Sequence, residues 1–209
     1  MSVIVDLREE AFTPRQQQVL TAALELLVEG GTALTMTAVA RRASCSKETL
    51  YKWFGDRDGL LTATVQWQAA KVRVPRVDRH RVERDELRQS IKQFARDLLG
   101  TLAGEISVTL NRLAVAHAGD PKMDLGTIVL ENGRLEMGRR LKPVLEAGRD
   151  ARLLRFDNSE EAFRTFFGLV VRDVQIRLLL GDDFTLSQDD IDRDAESATD
   201  QFFTLFERR

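Results

Sequence analysis

Residues 35–54, TMTAVARRASCSKETLYKWF, decide how this chain is read. The spacing predicts two short helices joined by a tight polar turn. In the first, Val39, Ala40 and Ala43 lie at i, i+1 and i+4, so small apolar side chains face inward and a second helix can cross closely. Ser44 to Ser46 make the break. The second helix, from about Lys47, buries Leu50 and Phe54 four residues apart and leaves Lys47, Thr49, Lys52 and Trp53 on other faces. Such a pair can lay one helix in the major groove of DNA, its outward groups within reach of phosphates and base edges.

These residues resemble the tetracycline-repressor (TetR) family of bacterial transcriptional regulators. The resemblance rests on Leu34-Thr35, Val39-Ala40, Ser46-Lys47, Thr49-Leu50-Tyr51 and the aromatic pair Trp53-Phe54 before Gly55-Asp56-Arg57. It covers about residues 13 to 62. It implies that Thr37, Tyr51, Lys52 and Arg57 hold the DNA backbone, while Lys47, Thr49 and Glu48 face the bases. Lys47 would donate to guanine O6 or N7 and Glu48 would accept from a cytosine amino group. Many family members carry a small residue at the position of Glu48, so its carboxylate is equally explained by the positive end of its own helix dipole. Trp53 has two readings as well, packing against the first helix or DNA contact.

A formal charge of −2 runs against nucleic-acid binding, which normally leaves a basic footprint. Its distribution answers much of the objection. Asp182, Asp183, Asp189, Asp190, Asp192, Asp194, Glu196 and Asp200 crowd the carboxyl end against Arg193 alone, whereas eight bases between Lys71 and Lys92 meet four acids. That basic run reads either as a DNA-facing stripe or, preferred, as a solvated helix surface of alternating ion pairs. The single Cys45 rules out an internal disulfide framework and reads as a small residue of the turn. With no apolar run near eighteen residues and no leader, the expectation is a soluble, cytoplasmic chain without a membrane partner.

From the amino end, Arg8 is a candidate minor-groove arm in a stretch without period. Thr13-Pro14-Arg15-Gln16 starts helix one, with Thr13 as cap, and the buried stripe is Leu20, Ala23, Leu24 and Leu27 before Gly30-Gly31. Thr35 and Ser46 are placed to cap helices two and three. Asp56 caps helix four, which runs past Trp67 towards Pro75 and, by the resemblance, transmits between head and ligand domain. Helix five carries Leu87, Ile91, Phe94, Leu98 and Leu102, and helix six Ile106, Leu110, Leu113 and Ala114 before Gly119-Asp120-Pro121. Residues 122 to 148 read as a seventh, uneven helix with Leu125, Ile128, Val129, Leu135, Leu141 and Leu145, interrupted by Gly133, Gly138 and Pro143. Asn158 opens an eighth, running to Gly181 through Phe163, Phe166, Phe167, Val170, Val171, Val174 and Leu178. Ser187 with Asp190 opens the last, striped by Ile191, Ala195, Ala198, Phe202 and Leu205. The fold class is therefore all-α with about nine helices: a helix-turn-helix head over residues 1–60 and a larger helical domain over 61–209.

The resemblance implies that the larger domain encloses a small-molecule effector and pairs two copies. Phe94, Leu98, Leu110, Leu113, His117, Ile128 and Phe167 are the candidate cavity lining. Phe163, Phe166, Val170, Val174, Leu178, Ile191, Ala195, Ala198, Phe202 and Leu205 are the candidate dimer interface, because the eighth helix has more apolar surface than one internal neighbour needs. Residues 166–181 (FFGLVVRDVQIRLLLG) resemble the carboxyl domains of one subgroup of these regulators. Arg172 and Asp173 in that helix read as an interface ion pair or as effector contacts. No enzyme is indicated: His80 and His117 lie far apart without metal-ligand spacing, no phosphate-cradling glycine loop is present, and no cofactor is expected. The expectation is a homodimeric, effector-responsive regulator, most simply a repressor, on a palindromic operator. The competing reading is a small-molecule-binding or protein-interaction module that keeps a reading head without a transcriptional role.

Overall fold

A computed structural model describes residues 12–30, 34–73, 77–78, 81–119 and 125–208 of the chain. The expectations for Arg8, Gly31, Pro75, His80 and the Asp120-Pro121 breaker fall outside them. Within them the protein is all-α: α1 (Pro14–Gly30), α2 (Met36–Arg42), α3 (Lys47–Phe54), α4 (Arg57–Ala69), α5 (Arg84–Ala103), α6 (Glu105–Ala116), α7 (Leu125–Val129), a π turn (Leu130–Arg134), α8 (Leu135–Asp150), α9 (Ser159–Val171), α10 (Val174–Leu179) and α11 (Gln188–Phe206).

Helix starts follow the capping chemistry of the sequence. Thr13 and Gln16 cap each other reciprocally, the Gln16 amide N–H donating to Thr13 Oγ1 at 3.3 Å and the Thr13 N–H to Gln16 Oε1 at 2.9 Å. Thr35, Ser46, Asp56 and Asn158 each accept from a first-turn N–H, and Ser187 with Asp190 forms a complete capping box. Two of the nine expected helices are subdivided. The seventh is one helical run, α7 to α8, in which the π turn inserts an extra residue per turn. The eighth stops at Val171, because Arg172 takes a left-handed φ of 45° before α10 resumes. Within the seventh helix's expected stripe Leu135 turns outward, and Met137 is buried instead.

Two apolar clusters hold the molecule. The head cluster joins α1, α2 and α3 through Leu20, Leu24, Leu27, Val39, Leu50 and Phe54, and takes in Leu60, Leu61, Ala63 and Val65 of α4. It also reaches Leu110 and Ala114 of α6 and Leu125 of α7, so the head is seated on the larger domain. The second cluster packs α5, α8, α9 and α11 around Phe94, Phe163, Phe166 and Phe202, all fully buried. Phe166 meets Phe94 and Phe202 at ring-centroid separations of 6.2 and 5.5 Å, within the range where aromatic pairs add to area burial.

The two charge blocks of the sequence turn out to be partners. Arg96 pairs with Asp192 at 2.7 Å, Arg88 with Asp200 at 2.5 Å and with Glu196, Lys92 with Glu196, and Arg84 with Glu207. These pairs run along the contact of α5 with α11. Neither the DNA-facing stripe nor the ladder of ion pairs within one helix describes the α5 part of the basic run.

Two expectations follow from this packing. A methyl group on Gly59, in the first turn of α4, would lie 1.9 Å from the Phe54 carbonyl oxygen. Because that atom is backbone, Gly59→Ala must push α3 off α4. The expected cost is about 1–3 kcal/mol or more, read as a lowered midpoint in urea; an unchanged midpoint would show that the α3–α4 corner yields freely. The second concerns pH. The Ser187 hydroxyl, then Arg193 and the Ser187 N–H, draw Asp190 down from 3.8 to about 2. A depressed carboxylate stabilises the fold at pH above its unfolded value and loses that contribution as pH falls through the folded one. The melting-temperature advantage of the wild type over Asp190→Asn should therefore be steady near neutrality and shrink between pH 3.8 and about 2; an advantage undiminished at the acid end contradicts the capping role.

Candidate nucleic-acid interface and inner cavity

The turn between α2 and α3 is held from below. Arg15 of α1 donates from Nη2 to the carbonyls of Ala43 and Ser44, both at 2.8 Å, while Ser44 adopts φ 49° and the Cys45 N–H returns to Ala40 O at 2.9 Å. Arg42 pins α2 to α1 through Glu29 at 2.5 Å and Glu25 at 3.2 Å. Sequence periodicity carries no signal for Arg15, since it lies on the polar side of its helix and its partners are backbone oxygens.

On that support α3 turns Leu50 and Phe54 inward and Lys47, Glu48, Tyr51 and Lys52 outward, with Tyr51 52 % exposed. Thr35 and Thr37 are exposed at the start of α2, and Arg41 adds a cation in its last turn that no periodicity argument selects. Ser46 and Thr49 are tied together, Oγ to Oγ1 at 3.0 Å and the Thr49 N–H to Ser46 Oγ at 3.1 Å. Glu48 is held below the usual carboxylate range by its own backbone N–H first, and then by the Ser46 hydroxyl and the Lys47 charge. Its carboxylate thus caps the positive end of α3, which favours the dipole reading over base reading. Trp53 is half-buried against the head core and lies edge-on to Phe54, 6.2 Å between centroids. Arg57 donates from Nε to Leu34 O at 2.9 Å, clamping α4 to the entrance of α2.

A cavity of about 350 Å³ lies where α4, α5, α6, the α7–π–α8 run and Phe167 of α9 converge. Of the expected lining, Leu98, Leu110 and Phe167 are present. Phe94 is fully buried in the core against Phe166 instead. Leu113 and Ile128 pack on the head cluster, and His117 closes the end of α6, its Nδ1 2.9 Å from Leu113 O. The cavity wall is mostly apolar, with Gln68, Ser107, Asn111 and Arg134 among its polar members. A second, wider groove of about 650 Å³ holds Arg73, Arg96 and Asp97, but Arg73 is engaged by Asp97 and Arg96 by Asp192.

The expected dimer residues are largely interior to a single protomer. Phe163, Phe166, Ala195, Ala198 and Phe202 are fully buried and Val170 and Val174 nearly so, because α9 and α11 turn these side chains toward each other, α5 and α8. Leu178 and Ile191 are half-buried against the same core and Leu205 points outward. The apolar surplus of the eighth helix is thus absorbed within the chain. Arg172 reaches Ser197 Oγ at 3.4 Å, and Asp173 lies 3.9 Å from Arg177, neither in the cavity. No helix among the described residues is long and apolar enough to cross a membrane.

Residues 19–64 match the family model for bacterial regulatory proteins of the tetR family, and residues 89–208 that for the AefR-like transcriptional repressor C-terminal domain. No curated protein matches the chain. A TetR transcriptional regulator from Agrobacterium tumefaciens is 47% identical, with a TM-score of 0.78 over 95% of this chain and 97% of its own. A flavonoid-responsive regulator, FrrA, is 28% identical, with a TM-score of 0.68 over 93% and 98%. A TetR-family regulator from Mesorhizobium loti shares the fold, with a TM-score of 0.71 over 92% and 96%, at 20% identity. With matched models over both the reading head and the larger part of the chain, this protein belongs to the TetR family of DNA-binding transcriptional regulators, whose fold is that of regulators and not of enzymes.

Proposed function

We propose that the chain is a homodimeric repressor that lays α3 in the major groove of each half of a palindromic operator and is released when a small molecule occupies the cavity beneath α4. The observation that carries the reading is the division of α3. Leu50 and Phe54 seat it in the head, while Lys47, Tyr51 and Lys52 stand exposed on its outer side. Lys47 and Thr49 are assigned to base edges, and Thr35, Thr37, Ser46, Tyr51, Lys52 and Arg57 to the phosphate backbone. Glu48 is assigned to orienting α3 and Trp53 to packing. The division between reading head and effector domain is placed within α4, close to residue 60.

The effector site is assigned to the cavity of about 350 Å³, in which Gln68 comes from α4 itself. The flavonoid response of FrrA and the apolar wall here both favour a compact, largely apolar effector. Binding that favours one tilt of α4 would alter the spacing of two heads, and by linkage operator DNA would weaken the effector by the same factor.

With most of the expected interface residues inside the protomer, the two-fold contact is assigned to the outward faces of α9 and α11. There Thr165, Gly168, Ser197 and Gln201 are small or polar, and Leu205 is 60% exposed. A methyl group on Gly168 meets nothing within 4 Å in the protomer, so a partner helix can approach closely there.

In gel shifts on the DNA upstream of its own gene, Lys47→Ala and Tyr51→Phe should weaken binding, by about 1–3 kcal/mol for a lost base contact, with the dimer intact. Wild-type log affinity should fall steeply with log salt. Unchanged affinity in both variants sinks the assignment of α3. For the interface, Gly168→Arg adds bulk where the protomer has room, so its melting as a monomer should hold while sedimentation shows dimers dissociating; a variant that remains dimeric moves the contact elsewhere.

A further inference from the structure

Arg134 is the one charged side chain among the described residues that line the inner cavity. It ends the π turn, whose extra residue changes the direction of the helical face at that point. Its guanidinium lies over Phe163 and Phe167, 4.6 and 4.4 Å from their ring centroids. No carboxylate among the described residues pairs with it: Glu160, whose charge it feels, is bonded by Lys142 at 3.0 Å. Burial holds Arg134 below its ordinary pKa, yet a guanidinium stays charged.

Across the cavity, Gln68 is 7% exposed and donates from Nε2 to Ser107 Oγ at 3.2 Å, while its Oε1 is buried without a partner. Exchanging the two ends of the amide leaves the other atom unmatched, because Ser107 answers only one of them. A buried polar atom left so is destabilising unless something else satisfies it. Between these groups the wall is apolar, with Leu98, Leu102, Leu110, Val129 and Met137.

Building on the cavity's role as the effector site, we infer that its ligand is an apolar small molecule carrying one carboxylate, which pairs with Arg134, and a hydrogen-bonding group that completes Gln68. The guanidinium fork fits a carboxylate with two parallel hydrogen bonds, and its stacking on two rings fixes its plane in advance. A cationic ligand would meet a like charge with no carboxylate among the described residues paired to it, and a wholly neutral one would leave that charge unanswered. Gln68 belongs to α4, so the polar end of such a ligand bears directly on the helix that carries the head.

The test uses the full chain and three probes sharing one body: 4-hexylbenzoate, 4-hexylbenzamide and 4-hexylbenzylammonium, titrated by calorimetry. The carboxylate should bind about tenfold or more tighter than the amide, and the ammonium more weakly than either. Arg134→Gln should erase the carboxylate's advantage, and Arg134→Lys, which keeps the cation if the stacked position needs one for folding, should retain part of it. Equal affinity for carboxylate and amide, a preference that survives Arg134→Gln, or no binding by any of the three overturns the anion assignment. Operator gel shifts on the same preparations separate this from the regulator reading, since a chain that shifts DNA but ignores the probes refutes only the ligand class.

Discussion

Helix α4 is buried in both halves of the molecule, and this double membership constrains everything else. Leu60, Leu61 and Val65 belong to the head cluster, while Ala69, at its other end, and Val72 just beyond belong to the core of the larger domain. Close packing leaves little slack at either end. At the head end Gly59 lies against the Phe54 carbonyl and Arg57 is bonded to Leu34 O. At the other end Arg140 donates to the carbonyls of Ala69 and Val72, and Gln66 bonds Asn132 of the π turn at 3.0 Å. The reading surface is thus positioned by the same helix that walls the cavity.

Charge is organised to the same end. The chain carries a net charge of −2, which taken alone argues against an affinity for DNA. Asp192, Glu196 and Asp200 of α11 are matched by Arg96, Lys92 and Arg88 of α5, so these ion pairs close that face of the larger domain on itself. The outer side of the head carries Lys47, Lys52 and Arg41, exposed around the start and end of the paired helices, with Glu48 beside Lys47. Exposed pairs such as Arg88 with Asp200 contribute little stability each; their consequence is to withdraw acids that would otherwise repel a polyanion.

The head was legible from sequence because its signals are local. Caps are single residues at fixed offsets, and the inward stripe of α3 needs only Leu50 and Phe54 four apart. The cores of α5 and α6 followed from periodicity for the same reason. The misreadings lie where the answer depends on what a helix packs against. Phe163, Phe166 and Phe202 make an apolar stripe whether a partner protomer or α5 covers it, and periodicity does not distinguish the two. The break at Arg172 leaves no glycine or proline as a marker, and although Gly133 marked the seventh helix as uneven, the change of register that the π turn makes around it is not written in composition. Arg15 acts on carbonyl oxygens, and Gly59 on a backbone contact, which no pattern of side chains announces. Gln68 and Arg134 escaped attention because each reads as an ordinary polar position until the cavity between them is known.

These same constraints limit how the proposed effector would act on the head. Helix α4 contains no proline or π turn, so it moves as a unit. Thirteen residues span about 20 Å, and a displacement of about 1 Å at the Gln68 end tilts such a rod by about 3°. Since α3 is seated on α4 through the close backbone contact at Gly59, it follows the helix. In an assembly with two-fold symmetry both heads swing together, so the change in their separation is the sum of two tilts. A ligand bridging Arg134 and Gln68 need contribute only the difference in its affinity for the two tilts, and couplings of about 1–3 kcal/mol are ordinary for such linkage. On this proposal the cavity has no need to reshape the reading surface, only to favour one seat for the helix beneath it.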